Sequence, residues 1–371
     1  MTDIVDVNAN ISSRINLMRI VLISGIVFVH VPHDPATSPY LGTYGVLDFL
    51  RVFLGDSLFR VGVPCLSAIS GYLLFRRGLD SFDYGKTLKT KARTVLLPFL
   101  LWNIAFLALV FVAQSKGISF GYLPEVVGAS AREWLNLAVA LQGLPIDVPL
   151  YFLRDLLLCI VLSPVLAWLI KRYPMQTLAV LFAYAVLPLP NGIFLKKSIL
   201  FGFSTGIYMS LHRVDVRGLD RFSWPITIAV LGASLLLSVV LFQYGPEFPV
   251  WVDMLRSLTA LSGILGSWAV SERLVRTSLG SRLGRGSGLS FWIFCTHYPL
   301  LVLFWMIWNR TGFGYYPAFY YTVPFITIAI LVVAYGLAGR WLPNLTATLT
   351  GSRANARPAE QRGELSPQQR T

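Results

Sequence analysis

What most constrains this chain is a ladder of apolar runs, most of them near the roughly 20 residues that an α-helix needs to cross a bilayer. In order these are Ile15–Val31, a run ending at Phe75 whose start is blurred by the amphipathic stretch Val46–Ser57, then Thr94–Ala113, Leu150–Ile170 and Met175–Leu187. Ile193–Leu211, Pro225–Phe242, Met254–Val270, Leu289–Trp308 and Phe319–Ala338 complete the series. Two are irregular: Met175–Leu187 is short, and Ile193–Leu211 contains Lys196-Lys197. Leu135–Leu141 is too short to span and reads as an interfacial or re-entrant piece. With 55% hydrophobic and only 13% charged residues in 371, against about 25% charged in a soluble domain, the surplus apolar surface must face lipid. The expectation is an all-α polytopic membrane protein, a bundle of about ten transmembrane helices.

Three segments follow: residues 1–14 as a cytoplasmic N-terminal segment, 15–340 as one transmembrane domain, and 341–371 as a cytoplasmic, largely disordered tail whose polar end is Gly351–Thr371. Met1–Ser13 is polar, and the first run leads into His30-Val31-Pro32-His33-Asp34 rather than a small-residue cleavage site, so it reads as a retained helix. Cys65, Cys159 and Cys295 each sit inside an apolar run, which suits small buried hydrophobes better than disulfides or a zinc site.

Orientation follows from the distribution of Lys and Arg. With the N-terminus inside, cytoplasmic segments hold 21 of the 31 basic residues, Arg14 among them, and external segments hold five: Lys116, Arg132, Lys196, Lys197 and Arg310. Arg19, Arg51, Arg60, Arg154 and Arg256 fall within or at the edges of helices. The bias alternates loop by loop, and both termini are expected in the cytoplasm.

Charged side chains within spans are costly, and those that remain usually face a cavity and act there. Arg19 and His30 are eleven residues apart on the first helix, within about 20° of whole turns and about 16 Å of rise. They face the same way at different depths: the guanidinium suits an anionic group, and the imidazole suits a proton. The plainer alternatives are a snorkelling Arg19 and a hydrogen-bonded core His30. His33 lies three residues further at the outer rim; with no third ligand apparent, a metal site is not expected. Arg60 precedes a fully apolar run, and Arg154-Asp155 pair just inside the outer face, where a structural role is the plainer reading. His297 is a second intramembrane histidine, followed by Pro299. His212 reads as a surface residue. Ser70 and Gly71 fit close helix packing. The basic inner loops Arg76–Arg93 and Arg273–Gly288 could hold phosphates, although orientation alone explains their charge. No Walker, dinucleotide or nucleic-acid motif is present.

Six motifs recur together in order. They are Arg19-x10-His30, Pro64-x5-Ser70-Gly71-Tyr72-Leu73, a basic loop through Arg93 into Pro98 and Trp102, Leu150-Tyr151-Phe152-Leu153-Arg154-Asp155, Gly206-Ile207-Tyr208, and Phe294-Cys295-Thr296-His297-x-Pro299. Over roughly Ile15–Ala338 the set resembles the bacterial membrane-bound acyltransferase-3 family. The opening Arg14–Arg19 and the stretch Val29–Pro35 look most like its succinoglycan succinyltransferases of rhizobial exopolysaccharide synthesis. Two motifs differ: Lys89-Thr90-Lys91-Ala92-Arg93 replaces an Arg-x2-Arg pair, and Tyr151-Phe152 replaces Trp-Phe. No extracellular hydrolase-like domain is appended.

The resemblance implies acyl transfer, succinyl ahead of acetyl, from cytoplasmic acyl-CoA to a sugar hydroxyl of a polysaccharide or its lipid-linked oligosaccharide precursor, at the bacterial inner membrane. Acyl-CoA is then a donor substrate rather than a bound cofactor. The partners are the glycan, membrane lipids and candidate polysaccharide-assembly proteins, with no nucleic acid. On this reading Lys89, Lys91 and Arg93 meet the CoA phosphates, Arg19 lines the route, and His30 is general base or transient acyl carrier. His297 and Asp155 orient it, Arg60 or Arg154 holds a succinyl carboxylate, and Tyr72 contributes to substrate binding. Rival readings are a glycan or anion transporter or flippase, and a non-enzymatic scaffold for polysaccharide assembly.

Overall fold

The computed structural model describes residues 2–118 and 121–351, the side chains of residues 2–8 excepted. The expected disordered end beyond Gly351 lies outside the described residues. Among the described residues there is no β-strand. Lipid offers the backbone no hydrogen-bond partners, so helices, which satisfy N–H and C=O internally, are the solution open to an apolar chain of this kind.

The first helix, α1, runs Thr2–Val29 and so begins well before the expected Ile15. Helices α2 (Val46–Arg51) and α3 (Gly62–Phe75) form one continuous rod, joined by a π-helical turn over Val52–Ser57 and a 3-10 turn over Leu58–Val61. A second π-helical turn, Ala92–Leu96, joins α4 (Tyr84–Lys91) to α5 (Leu97–Ser115). The expected interfacial piece is α6 (Ala131–Val139), capped by Ser130 and Glu133. The run Leu150–Ile170 is broken: α7 (Tyr151–Val161) and α8 (Ser163–Arg172) meet at 62°, at a point where Pro164 cannot continue the hydrogen-bond ladder. Then follow α9 (Pro174–Val186), α10 (Lys197–Leu211), α11 (Ser223–Tyr244) and α12 (Val250–Val275). The chain closes with α13 (Ser278–Arg285), α14 (Leu289–Thr311), α15 (Tyr316–Trp341) and the short α16 (Pro343–Leu349).

Each of the ten expected runs contains helix, but among the described residues six rods are long and apolar enough to cross a membrane, or seven if the bent α7–α8 pair counts as one. The shortfall has physical causes. At 1.5 Å per residue, α9 with 13 residues and α10 with 15 fall short of a hydrocarbon core about 30 Å thick. Helix α12 is long enough with 26 residues, but carries Asp253, Arg256, Glu272 and Arg273.

Burial separates centre from periphery. The spans of α1, α2–α3 and α13–α14 are each 56% buried, whereas those of α11 and α15 are 22% buried and present residues such as Ile228, Leu236, Phe325 and Val333 outward. Helix α1 is thus an inner strut, packed by α3, α12, α13, α14 and α15. Arg14, expected in a loop, is fully buried: it bonds Ser271 Oγ (3.0 Å), Asp220 (2.9 Å) and the Trp268 carbonyl (2.7 Å), with its guanidinium 3.6 Å over the Trp268 ring. Because α1 begins early, this arginine becomes a core anchor for its N-terminal half. All three cysteines are buried and free.

Candidate active site

His30 ends α1, and its Nδ1 lies 2.9 Å from the Ile26 carbonyl oxygen and 3.4 Å from His297 Nε2. His297 is fully buried on α14, with its own Nδ1 2.8 Å from the Phe294 carbonyl and 3.0 Å from that of Ile293. A carbonyl oxygen only accepts, so Nδ1 carries the proton in both rings. The single His30 Nδ1 proton goes chiefly to the Ile26 carbonyl at 2.9 Å and is shared more weakly with the His297 Nε2 lone pair at 3.4 Å, which leaves His30 Nε2 unprotonated. Two histidines 267 positions apart thereby form one directed chain. Tyr298 packs edge-on against His30, ring centroids 6.2 Å apart.

His30 opens on a cavity of about 130 Å³ lined also by Arg60, Tyr151, Lys196, Ser198, Asp253, Arg256 and Ser257. Its charged wall is built by the irregular rod. The π-helical and 3-10 turns place Asp56 and Arg60 at 2.7 Å, and Asp56 also takes a Tyr40 hydroxyl at 3.0 Å and Arg256 at 3.4 Å. Such departures from α-helical geometry frequently mark functional sites.

Towards the other end of α1, half-buried Arg19 has no ion pair or hydrogen bond among the described residues. It lies close enough to Lys91 for the two charges to repel. Lys91 borders a cleft of about 710 Å³ lined by Arg76, Arg77, Ser81, Lys86 and Thr90. Positions 83, 86, 87, 90 and 91 form one face of α4, so Lys89 and Arg93, expected here with Lys91, are exposed off that face. Tyr72 is half-buried on a small apolar pocket with Ile15, Met18 and Trp268, away from the histidines.

Arg154 and Asp155 are arranged otherwise than as a ligand site. Arg154 donates to the Ala140, Leu141 and Ile193 carbonyls and, at 2.8 Å, to Asp155. Asp155, fully buried, accepts from Leu195 N–H and Lys196 N–H at 2.9 and 2.8 Å. The pair ties α7 to the start of α10, and neither residue lines the His30 cavity. Asp155→Ala, which leaves the guanidinium and two amides without their acceptor, is expected to cost about 3–5 kcal/mol. It should read as a lower melting temperature in detergent, with the activity per folded molecule largely kept. Loss of activity at an unchanged melting temperature would place Asp155 in the chemistry instead.

Arg256, Lys196 and Asp56 face His30 or the cations around it; the sequence marked Arg256 as lying in or beside a helix and Lys196 as an interruption of a span, but pointed to a site role for none of the three. Nor did it point to one for Arg51, buried with Asp48 at 2.8 Å and lying 4.1 Å over the Tyr316 ring.

Residues 12–341 match the acyltransferase-3 family, described as an acyltransferase domain. The chain is 64% identical over 369 residues to the succinoglycan biosynthesis protein ExoH of Rhizobium meliloti (strain 1021), covering 98% of this chain and 100% of that protein. No solved structure matches. With the match over nearly its whole length, this multi-pass membrane chain is an acyltransferase that belongs to the acyltransferase-3 family.

Proposed function

We propose that the chain transfers an acyl group, succinyl ahead of acetyl, from cytoplasmic acyl-CoA to a sugar hydroxyl of an exopolysaccharide or its lipid-linked precursor, within succinoglycan biosynthesis. The observation that carries this reading is the pairing of His297 with His30 on the wall of a polar cavity. The proposed setting is the bacterial inner membrane, with both termini cytoplasmic and about ten membrane passes, the short α9 and α10 and the polar α12 included. The basic bias of the inner loops and the large basic cleft near the N-terminal half of α1 favour that orientation.

Acyl-CoA enters at the cleft of Arg76, Arg77, Lys86 and Lys91, where cations meet its phosphates, and its arm runs past Arg19 towards His30. The acceptor hydroxyl gives its proton to His30 Nε2 as its oxygen attacks the thioester carbonyl. The C–S bond breaks as the C–O bond forms, and the CoA thiolate leaves and takes up the proton. His297 holds the His30 ring in the tautomer that can accept. An imidazole suits the task because its ordinary pKa is near the operating pH.

Purified protein, labelled succinyl-CoA and exopolysaccharide repeat unit test this directly: label should enter the sugar in proportion to CoA released. Transport of glycan without label transfer would favour the carrier reading. Arg19→Gln separates a ligand role from a structural one. Because Arg19 has no internal partner to lose, the melting temperature should hold or rise, while KM for acyl-CoA should rise about ten- to a hundred-fold, the range for a lost charge-assisted hydrogen bond. A lower melting temperature at unchanged KM would make Arg19 structural.

A further inference from the structure

We infer that Lys196 and Arg256, with Arg60 beside them, form a carboxylate pocket that selects acyl donors ending in a carboxylate; this rests on the acyltransferase reading of the His30 cavity and names the residues that choose its donor. Five charged groups meet there. Arg60 and Arg256 share one carboxylate, Asp56, at 2.7 and 3.4 Å. Lys196, exposed at the cavity mouth, makes no ion pair or hydrogen bond through its ammonium among the described residues, and the carboxylate that lines the same cavity is Asp253. Asp155 is already held by Arg154 and two backbone amides. Three cations therefore face two available carboxylates, Asp56 and Asp253, leaving one positive charge in excess.

A second observation points the same way. Arg60 Nε is buried without an acceptor, and a buried donor left unpaired is costly, a cost that a bound anion would relieve. A terminal carboxylate placed between Lys196 and Arg256 would set the other end of a four-carbon acyl group towards His30, on the same cavity wall as Arg60. Arg154, fully engaged with carbonyls and Asp155, has no such freedom.

An anionic oxygen could also come from a phosphate of a lipid-linked acceptor, and the experiment separates the two sources. The full-length protein is assayed with succinyl-CoA, its methyl ester and acetyl-CoA, against one glycan acceptor. In the unaltered protein, capping the carboxylate as the methyl ester should lower transfer about ten- to a hundred-fold. In Lys196→Met and Arg256→Gln the same capping should cost little, and the succinyl-to-acetyl ratio should fall by about tenfold; Lys196→Arg should restore it. If the unaltered protein transfers ester and acid equally, the pocket is wrong whatever the variants do. If the variants lower succinyl and acetyl transfer alike, the cations serve the acceptor or the fold, and the proposal is likewise overturned. If no donor is used at all, it is the acyltransferase reading that fails.

Discussion

His30→Ala is expected to lower acyl transfer by about a hundred- to ten-thousand-fold, the range for removing a positioned general base, while the bundle stays folded. The fold survives because His30 is the residue after α1 ends at Val29, and its ring contributes one local hydrogen bond to Ile26 and the contact with His297. His30→Gln refines the test. A glutamine amide can still donate towards Ile26 and occupy similar volume, but it cannot accept the hydroxyl proton, so it should be nearly as inactive as alanine. His297→Ala removes the acceptor that aims the ring without removing the base. A partial loss, on the order of tenfold, is expected there, along with some loss of stability, because the His297 side chain is fully buried. The measurement is label transfer per mole of monodisperse protein. A His30→Ala protein with the unaltered rate would end the assignment of this site.

How far the sequence revealed this site depended on whether each signal was local. Arg19 and His30 stood out because a charged or titratable group in an apolar run has few harmless explanations, and helical geometry put them on one face. His297 stood out for the same reason. That its ring meets His30 was implied by the family resemblance alone and by no local signal, because the contact joins the end of α1 to α14 across most of the chain. The basic cleft was half legible: Lys91 belongs to it, while Lys89 and Arg93 do not. Treating 84–91 as an amphipathic helix would have picked positions 83, 86, 87, 90 and 91 as one face. Arg154-Asp155 read as a structural pair on its residues, and only the family resemblance gave it a part in the chemistry. The carbonyls and amides that occupy it come from distant loops and leave no side-chain signature. The fold divided similarly. Helix content could be read from hydropathy, whereas the standing of α9, α10 and α12 depends on neighbours that shield short or polar helices.

Gly206→Val should prevent the folded protein from accumulating, because at this point α3 and α10 touch backbone to backbone. A Cβ on Gly206 would lie 2.0 Å from the Ala68 carbonyl oxygen and 2.6 Å from the Tyr72 nitrogen. One turn earlier a Cβ on Gly202 would lie 2.4 Å from the Pro64 oxygen, and from the facing helix a Cβ on Gly71 would lie 2.1 Å from the Phe203 oxygen. These are backbone atoms within helices, so none can swing aside, and the helices must separate along their length. Small residues at such contacts are what let membrane helices gain packing where lipid removes the hydrophobic drive. A valine there is therefore expected to cost at least the roughly 3 kcal/mol at the upper end of ordinary overpacking. Separation would also move the chemistry, since α3 continues the rod bearing Arg60 and α10 starts beside Lys196, so any surviving Gly206→Ala protein should show weakened donor selection as well as a lower melting temperature. Gly232→Ala on α11 and Gly336→Ala on α15 are the controls: an added Cβ meets nothing within 4 Å at either position, and alanine is the better helix former. Both should melt at or above the unaltered protein. A Gly206→Val protein that melts with them would mean that α3 and α10 are not in backbone contact, and the cavity wall they jointly support would need another explanation.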